Sequence, residues 1–441
     1  MCCCTRVRVG APAEHLSSRR HREEEDPRGT VAGCFFKRVF PVASRSGSGG
    51  RALERVLHFS CVMARTRAIS GLIIALCLGA GPGWAVAEYG SAADLETALS
   101  RLRSREVEDG WVQVGEGAAL RRGAKGTRVE RLQKRLRAGG DLSNEAIRGR
   151  FDAATEQALL RFQARHGLAV DGIAGSDTIA ALDVSLDDRI REVEVNLSAR
   201  RAFESRAESR FVLVNIPAYR LTLVEHGAPT LTMKVAVGEE GWATPPIDGE
   251  IQKIVVNPFW LVPAKIVAAD LAPKFRANPR QLEQKGFVIL REGDGTKPVD
   301  PKRIDWTSID PETFPYLIRQ QPGPQNLLGD LKFVFPNPKS IYFHGTPHQA
   351  VFERTERDVT HGCIRLENPQ QLAVALLRET PGWSREQLEQ RIGTGETEEV
   401  PLAEPIPVHL VYWTAWVAPD GTLQHRDDIY GEEVDPDTTP L

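Results

Sequence analysis

The 441-residue sequence predicts an α+β protein of several domains, in which a small helical module precedes a mainly β, sandwich-like or barrel-like domain. Apolar residues at helical spacing predict three short helices between residues 120 and 182. Short alternating apolar runs, bounded by Pro and Gly, predict strands from residue 211 onward. Residues 263–329 interrupt these strands with a helical and then loop-rich stretch, which indicates an inserted lobe.

The start of the chain predicts export. Basic residues after Met63, an apolar run over residues 69–78 and the sequence Ala-Val-Ala at 85–87 are typical of a secretory signal peptide. Because such a signal must leave the ribosome first, we expect Met63 to be the true start and residues 1–62 to be a non-native or disordered extension. The apolar run is too short for a comfortable membrane span, so we expect membrane contact only if the signal is retained.

Composition limits the partners. Lys and Arg number 56 against 59 Asp and Glu, which gives no reason to expect nucleic acid or an anionic membrane. We expect the following organisation: an extension at 1–62, a signal peptide at 63–87, a helical linker at 88–116, a helical module at 117–184, a connecting helix at 185–210 and a β-rich domain at 211–435 with its insertion at about 263–329.

The helical module has a distinctive pattern. Three motifs follow one another: G-x-x-G-x-x-V-x-x-L-Q from Gly123, F-D-x-x-T-x-x-A from Phe151 and H-G-L-x-x-D-G from His166. From the residues alone this is a small helical bundle whose apolar side chains form its core, with Asp152 as a helix N-cap. The pattern resembles the peptidoglycan-binding domain. That resemblance implies binding of glycan or stem peptide, although many such modules act as spacers.

Cys363 is a candidate nucleophile. The other six cysteines all precede residue 78, so an exported, processed chain would carry one thiol without a disulfide partner. A free thiol near its usual pKa of about 8.5 is mostly protonated at neutral pH, and it therefore needs a base. An alternating apolar run over residues 340–344 predicts a strand that ends at His344. A Cys and a His on neighbouring strands would suit thiol chemistry.

Two other interpretations of these residues remain open. A lone cysteine is often simply buried and inert. A zinc site could also combine Cys363 with His344, His348 and His361. His348, however, lies in a Pro-containing turn, and no second Cys or acidic residue is spaced to complete the set. We expect no metal and no cofactor.

The sequence around these residues resembles a known enzyme family. His344, followed by Thr-His-Gly-Cys-Ile-Arg at 360–365, is similar to the catalytic signature of L,D-transpeptidases, the cysteine enzymes with a YkuD-type domain that cross-link peptidoglycan. Residues 214–221, 256–263 and 415–430 resemble the large periplasmic subgroup, which has a capping lobe. The signature often has Ser where this chain has Thr360, and the hydroxyl is kept.

The resemblance implies roles for individual residues. His344 would take and return the proton, the Gly345 carbonyl would orient its ring, and backbone N–H groups around Gly362 and Cys363 would bind the oxyanion. The other expected site residues are His361, which precedes the nucleophile, and Thr360, Tyr342, Trp260 and Arg365 for substrate binding. Tyr342 and Trp260 are equally well explained as core, and Arg365 could instead pair with Glu367.

The implied function is an exported, periplasmic L,D-transpeptidase that acts on peptidoglycan stem peptides, and other proteins of cell-wall synthesis are the further partners that the resemblance implies. Cys363 would attack the third residue of a tetrapeptide, expel D-Ala and pass the acyl group to an amine, which gives a 3→3 cross-link; water would give a tripeptide. Two alternatives stay open. The acceptor or leaving group could be a lipoprotein, or the protein could be a non-catalytic wall-binding scaffold. We expect the inserted lobe to act as a lid.

Overall fold

The computed structural model describes residues 88–431 except 106–109, 144–146, 206–207, 279, 292 and 308. The predicted extension at 1–62 and signal peptide at 63–87 lie outside these residues, as does the chain after residue 431. Within the described part of the chain, no helix combines the length and the apolar character that crossing a bilayer requires.

Helices are concentrated in the first third of the described chain, and strands follow. The helices are α1 (Ala92–Arg105), α2 (Thr127–Gly139), α3 (Ala153–Arg165), α4 (Ser176–Asp183), α5 (Leu186–Glu204), α6 (Ala264–Ile266), α7 (Ala272–Ala277), α8 (Arg280–Gln284), α9 (Pro369–Leu377) and α10 (Arg385–Thr394). A π-helical turn, Val267–Leu271, joins α6 to α7, and 3-10 turns lie at Pro301–Arg303 and Gln349–Glu353. The strands are β1 (Arg210–Asn215), β2 (Arg220–Glu225), β3 (Ala228–Gly238), β4 (Ile247–Val256), β5 (Trp260–Val262), β6 (Phe287–Arg291), β7 (Asp294–Pro298), β8 (Tyr316–Gln320), β9 (Leu331–Val334), β10 (Phe343–His344), β11 (Asp358–Thr360), β12 (Ile364–Leu366), β13 (Glu398–Val411), β14 (Ala415–Val417) and β15 (Leu423–His425).

Helices α2, α3 and α4 form the small module. Asp152 caps α3 by accepting a hydrogen bond from the Thr155 N–H at 3.0 Å, and Gly140 ends α2 in the left-handed conformation with φ 85°. The Gln133 side chain donates to the Arg150 carbonyl and so ties α2 to the loop before α3. Apolar residues at helical spacing, among them Leu132 and Phe162, are fully buried between the helices.

Helices α1 and α5 pack together beside this module. Ser185 caps the start of α5. The apolar residues of α5, Ile190, Val193 and Leu197, pack on α1 and on the β14–β15 hairpin. Asn196 fixes that contact, since its amide donates to the Thr414 hydroxyl at 2.8 Å and its carbonyl accepts from the Thr414 N–H at 3.0 Å. The predicted connecting helix thus links the helical module to the end of the β-rich domain.

The β-rich domain is built on one nine-stranded sheet in the order β11-β3-β12-β10-β9-β4-β13-β1-β2. Strand β2 also pairs with β3, so the strands close into a ring. This corresponds to the barrel-like form of the predicted fold. Alternate residues of the ring pack with α9 into one core, which includes Val214, Phe333, Phe343 and Ile364.

The inserted lobe is more ordered than the sequence predicts. It contains a four-stranded sheet in the order β5-β8-β6-β7, covered by α6 to α8, whereas we expected only helices and loops. It also begins at Trp260, before the predicted boundary at residue 263. The strands were missed because they are short and pair across long separations, as Trp260 does with Gln320, so local periodicity gives little sign of them.

The strand predicted over residues 340–344 is also shorter than expected. Only Phe343 and His344 are strand, because Ser340 has φ 55° and the Asn337 side chain holds the preceding turn. Asn337 accepts from the Ile341 N–H at 3.0 Å and donates to the Ile341 carbonyl at 2.7 Å. The turn places His344 at the end of the strand nevertheless.

Candidate active site

Three neighbouring strands, β9, β10 and β12, position the residues of the candidate site. On β10 and β12, Phe343 pairs with Ile364, and both point into the core. The next pair is His344 with Arg365, and His344 also pairs with Lys332 on β9. Because side chains alternate along strands, Lys332, His344 and Arg365 project together from the opposite face of the sheet.

Cys363 joins this face from the turn before β12. It lies two residues before Arg365 and is half-buried. The Ile364 N–H donates to the Tyr342 carbonyl at 3.1 Å, which brings Tyr342 level with the thiol. Both the backbone and the phenol of Tyr342 interact with the Cys363 sulfur. His344 is the diagonal neighbour of Cys363 across the two strands.

The thiol is protonated at rest. Burial raises the pKa of Cys363 above its ordinary value, while the Tyr342 contacts and the charges of Lys332 and Arg365 act in the opposite direction. Attack therefore requires removal of a proton by a nearby base.

His344 is suited to be that base. Its Nδ1 lies 2.5 Å from the Gly345 carbonyl oxygen, so Nδ1 carries the hydrogen and Nε2 keeps its lone pair. Burial, and then the charge of Arg365, lowers the pKa of His344 to about 3. Among the described residues, the histidines that pair with a carboxylate are His361, His409 and His425, and His344 is not one of them. Because its pKa is so low, the His344 imidazole is neutral at physiological pH.

A hydrogen-bonded turn presents the thiol. The Thr360 hydroxyl donates to the Cys363 carbonyl at 2.7 Å and accepts from the Gly362 N–H at 3.2 Å. Thr244 holds the turn from outside by donating to the Gly362 carbonyl at 2.8 Å. Gly362 has φ 97°, a conformation that favours glycine. Thr360 is buried, so its hydroxyl supports the turn, and a serine could do the same.

The turn also affects the predicted oxyanion donors. The Gly362 N–H is occupied by Thr360, whereas no acceptor is found for the Cys363 N–H among the described residues. The geometry therefore favours Cys363 N–H as a donor; the pair of donors around Gly362 and Cys363 stays a prediction.

Two cations face the thiol. In the described part of the chain neither Arg365 nor Lys332 forms an ion pair, and the Glu367 carboxylate accepts instead from the Lys234 N–H at 3.2 Å. The Lys332 ammonium lies 3.8 Å from the centre of the Tyr342 ring. Sequence reasoning missed Lys332, because a lysine within an apolar strand run is more often a solvent-exposed residue.

The inserted lobe contacts this face from above. Trp260 is buried in the lobe core, and its side chain interacts with the Tyr342 phenol. His361 lies with Nε2 3.4 Å from the Asp270 carboxylate and packs edge-on against Trp242. Trp260 is therefore both a core residue and a neighbour of the site, and His361 contacts the lobe. Within the described residues no three His, Cys, Asp or Glu side chains converge as metal ligands.

Comparison with known families divides the chain in the same way. Residues 209–383 match the family described as "L,D-transpeptidase catalytic domain". Residues 125–182 match the family described as "Putative peptidoglycan binding domain".

Individual proteins give similar matches. A Haemophilus influenzae protein named "Putative L,D-transpeptidase" is 37% identical over 220 residues, which cover 50% of this chain and 44% of that protein. The Bacillus licheniformis N-acetylmuramoyl-L-alanine amidase CwlL is 43% identical over 67 residues, 15% of this chain and 19% of its own length. This chain therefore spans less than half of either relative. An L,D-transpeptidase structure from Stackebrandtia nassauensis shares 14% identity over 66% of this chain and 94% of its own, with a TM-score of 0.24.

The two matched ranges do not overlap, and they lie in the β-rich domain and the helical module respectively. Residues 209–383 are an L,D-transpeptidase catalytic domain, preceded in this chain by a peptidoglycan-binding domain at residues 125–182.

Proposed function

We propose that this protein is an exported L,D-transpeptidase of the periplasm that joins peptidoglycan stem peptides through an acyl-enzyme on Cys363. One observation carries the proposal. A protonated thiol, a neutral imidazole and two cations without ion pairs among the described residues share one sheet face beneath the inserted lobe. This combination supports attack by sulfur, transfer of its proton and stabilisation of the negative charge that develops.

The first step forms the thioester. The Cys363 sulfur attacks the carbonyl carbon of the third residue of a tetrapeptide stem while His344 Nε2 accepts the thiol proton. The Cys363 N–H is placed to donate to the developing oxyanion, and a single such donor is worth about 3 kcal/mol. The bond to D-Ala then breaks, and His344 returns its proton to the departing amine.

The second step transfers the acyl group. A side-chain amine from the third residue of a neighbouring stem attacks the thioester, and His344 takes a proton from it. The carbon–sulfur bond breaks and the proton returns to the Cys363 sulfur, which leaves a 3→3 cross-link and free enzyme. Attack by water would trim the stem to a tripeptide. A lysine of a lipoprotein would use the same chemistry.

The two cations have different geometries and so different roles. Arg365, beside His344, can bind a stem carboxylate with two parallel hydrogen bonds. Lys332 is a compact charge that stabilises the thiolate as the proton leaves. Both charges also keep the His344 pKa low, so the imidazole is unprotonated when substrate arrives.

The test uses residues 88–441 and a Cys363→Ala control, each incubated with purified disaccharide-tetrapeptide and followed by mass spectrometry. We expect loss of D-Ala with a cross-linked dimer or a thioester adduct, and neither in the control. D-Ala loss without either product would show carboxypeptidase action. Equal inactivity of both proteins towards stem peptides and towards a lipoprotein lysine peptide would favour a wall-binding scaffold.

A further inference from the structure

A polar cavity lies between the helical module and the α1–α5 pair. Its lining residues are far from Cys363 in the sequence. Its volume is about 230 Å³, and α1, the module and the β14–β15 hairpin all contribute to its lining. That volume is smaller than the roughly 300 Å³ or more of a site that encloses a whole small molecule. It suits a charged end group of a larger ligand.

The lining is strongly basic. It contains Arg101, Arg135, Arg165 and Arg189, against Asp141 as the one carboxylate among the lining residues. Asp141 is occupied by Arg165, whose Nε and Nη2 lie 2.8 and 2.7 Å from its two oxygens. Arg189 is paired behind the lining with Glu192 at 2.8 Å. Arg165 and Arg189 are therefore paired, whereas neither Arg101 nor Arg135 forms an ion pair among the described residues.

Arg135 has the features of an anion ligand. It is 1% exposed, its guanidinium lies 3.5 Å from the centre of the Trp111 ring, and its Nε donates to the Leu182 carbonyl. Its Nη1 is buried without a hydrogen-bond partner. Burial, and then the neighbouring charge of Arg165, lowers the pKa of Arg135 to about 9. A buried cation with an unsatisfied N–H group is costly unless a further acceptor or anion reaches that group.

Two further observations point to the same ligand. A Cβ on Gly139 would lie 2.8 Å from Asp141 Oδ2, 3.0 Å from Arg165 Nη2 and 3.3 Å from Arg135 Nη1, so the glycine lets the Arg165–Asp141 pair and the Arg135 guanidinium approach the backbone. His166 is stacked on His425 from β15, and burial lowers the pKa of His166 well below its usual value. The ring is neutral, and its buried Nε2 has no hydrogen-bond partner. In the tautomer that carries its hydrogen on Nε2, the ring can donate to an anion.

We propose that this cavity binds a carboxylate of a peptidoglycan stem peptide, held by Arg135 and Arg101. The anion class follows from the lining, and its assignment to a stem peptide rests on the proposed function. Because the cavity is built from both the helical module and the scaffold of the catalytic domain, an occupied cavity fixes a second stem at a set distance from Cys363.

The experiment uses the Cys363→Ala protein labelled with 5-fluorotryptophan and titrated with disaccharide-tripeptide, which has stem carboxylates but no D-Ala to expel. The ¹⁹F resonance of Trp111, assigned with Trp111→Phe, reports on this cavity separately from the catalytic site. We expect a saturable shift whose affinity falls about tenfold in Arg101→Glu, as for the loss of one charge-assisted contact. Arg121 is an exposed arginine of the helical module outside the cavity, so Arg121→Glu should leave the affinity unchanged.

Arg135→Lys keeps the positive charge but loses the planar guanidinium that can donate two parallel hydrogen bonds, so we expect it to lower the affinity for the tripeptide as well. Equal affinities in Arg101→Glu and the parent, or an equal response to a tripeptide whose carboxylates are amidated, would overturn the inference. A Trp111 shift produced by inorganic phosphate but not by tripeptide would overturn the stem assignment. D-Ala release by the unmutated protein is scored separately. D-Ala release without a Trp111 response would support the proposed function and overturn the cavity inference. A Trp111 response without D-Ala release would support anion binding in the cavity but not the proposed function.

Discussion

Two buried histidines on the same sheet behave in opposite ways. His344 on β10 and His409 on β13 are each 5% exposed. His409 lies between carboxylates, with Nδ1 2.8 Å from Asp248 and Nε2 2.9 Å from Glu208. His344 faces the Gly345 carbonyl and the positive charges of Arg365 and Lys332.

The surroundings decide which histidine holds a proton. Burial by itself lowers the pKa of both rings. At His409 the hydrogen bonds to Asp248 and then Glu208 outweigh burial and raise the pKa, whereas Arg365 lowers the pKa of His344 further. The two carboxylates therefore favour the charged form of His409 and hold its ring in place on β13. His344 remains a free base, which the proposed acyl transfer requires.

The sharpest test of this contrast is the same substitution at both histidines. We expect His344→Gln to lower the rate of D-Ala release by roughly 10²- to 10⁴-fold, the usual contribution of a general base. His409→Gln should keep the rate within a few-fold, because the ring lies on β13, away from the β9–β10–β12 face that carries the thiol.

Initial rates are to be measured for both variants under one set of conditions, with circular dichroism confirming that each is folded. Equal losses in two folded variants would mean that His344 acts through stability alone. The proton-transfer role would then be wrong.

A smaller effect is expected from the cation next to the base. Lys332→Met removes a charge that lowers the Cys363 pKa, so the thiol should become less acidic. We expect the rising limb of the pH–rate profile to move up by about one unit, and the rate at pH 7 to fall about tenfold. Lys332→Arg should restore most of the shift.

Lys253→Met is the matched control. Lys253 lies on the adjacent strand β4 and forms a surface pair with Glu399 at 2.7 Å. Its loss should leave the profile in place. A profile that moves equally in both variants would indicate a general charge effect rather than a local one.

The sequence predicts a helix or strand correctly where that element has its own local apolar pattern. Strand β1 begins at Arg210, next to the predicted start of the strands at residue 211, and α3 and α5 lie within the predicted helical ranges, because each has its own apolar periodicity and turn or cap residues. Strand β13, at the centre of the sheet, was not predicted. It contains Pro401, Pro405 and Pro407, which argue against a strand, and its pairing with β4 shifts register between Pro401 and Ile406.

The candidate site follows the same rule. Cys363 and His344 are predicted from a motif, and residue type and spacing are enough for that prediction. Lys332 could not be identified, since its relevance depends on β9 pairing with β10 rather than on any neighbour in sequence. The directions of the Cys363 and His344 pKa shifts could not be predicted from the sequence either, because burial in the folded protein is the largest cause of both shifts.

The smallest expected effect concerns stability and the other histidine. The pKa of His409 is raised in the folded protein, so its contribution is fully present below the unfolded pKa of about 6.5 and is lost as pH rises through the folded pKa. Asp248→Asn should therefore destabilise the protein most near pH 6 and least near pH 9. The difference should stay below about 1 kcal/mol, since the Asp248 side chain is half-exposed. Thermal unfolding across that range, with Glu389→Gln as an exposed control, measures the difference. A destabilisation that does not change with pH would show that Asp248 does not raise the His409 pKa, and the contrast with His344 would fail.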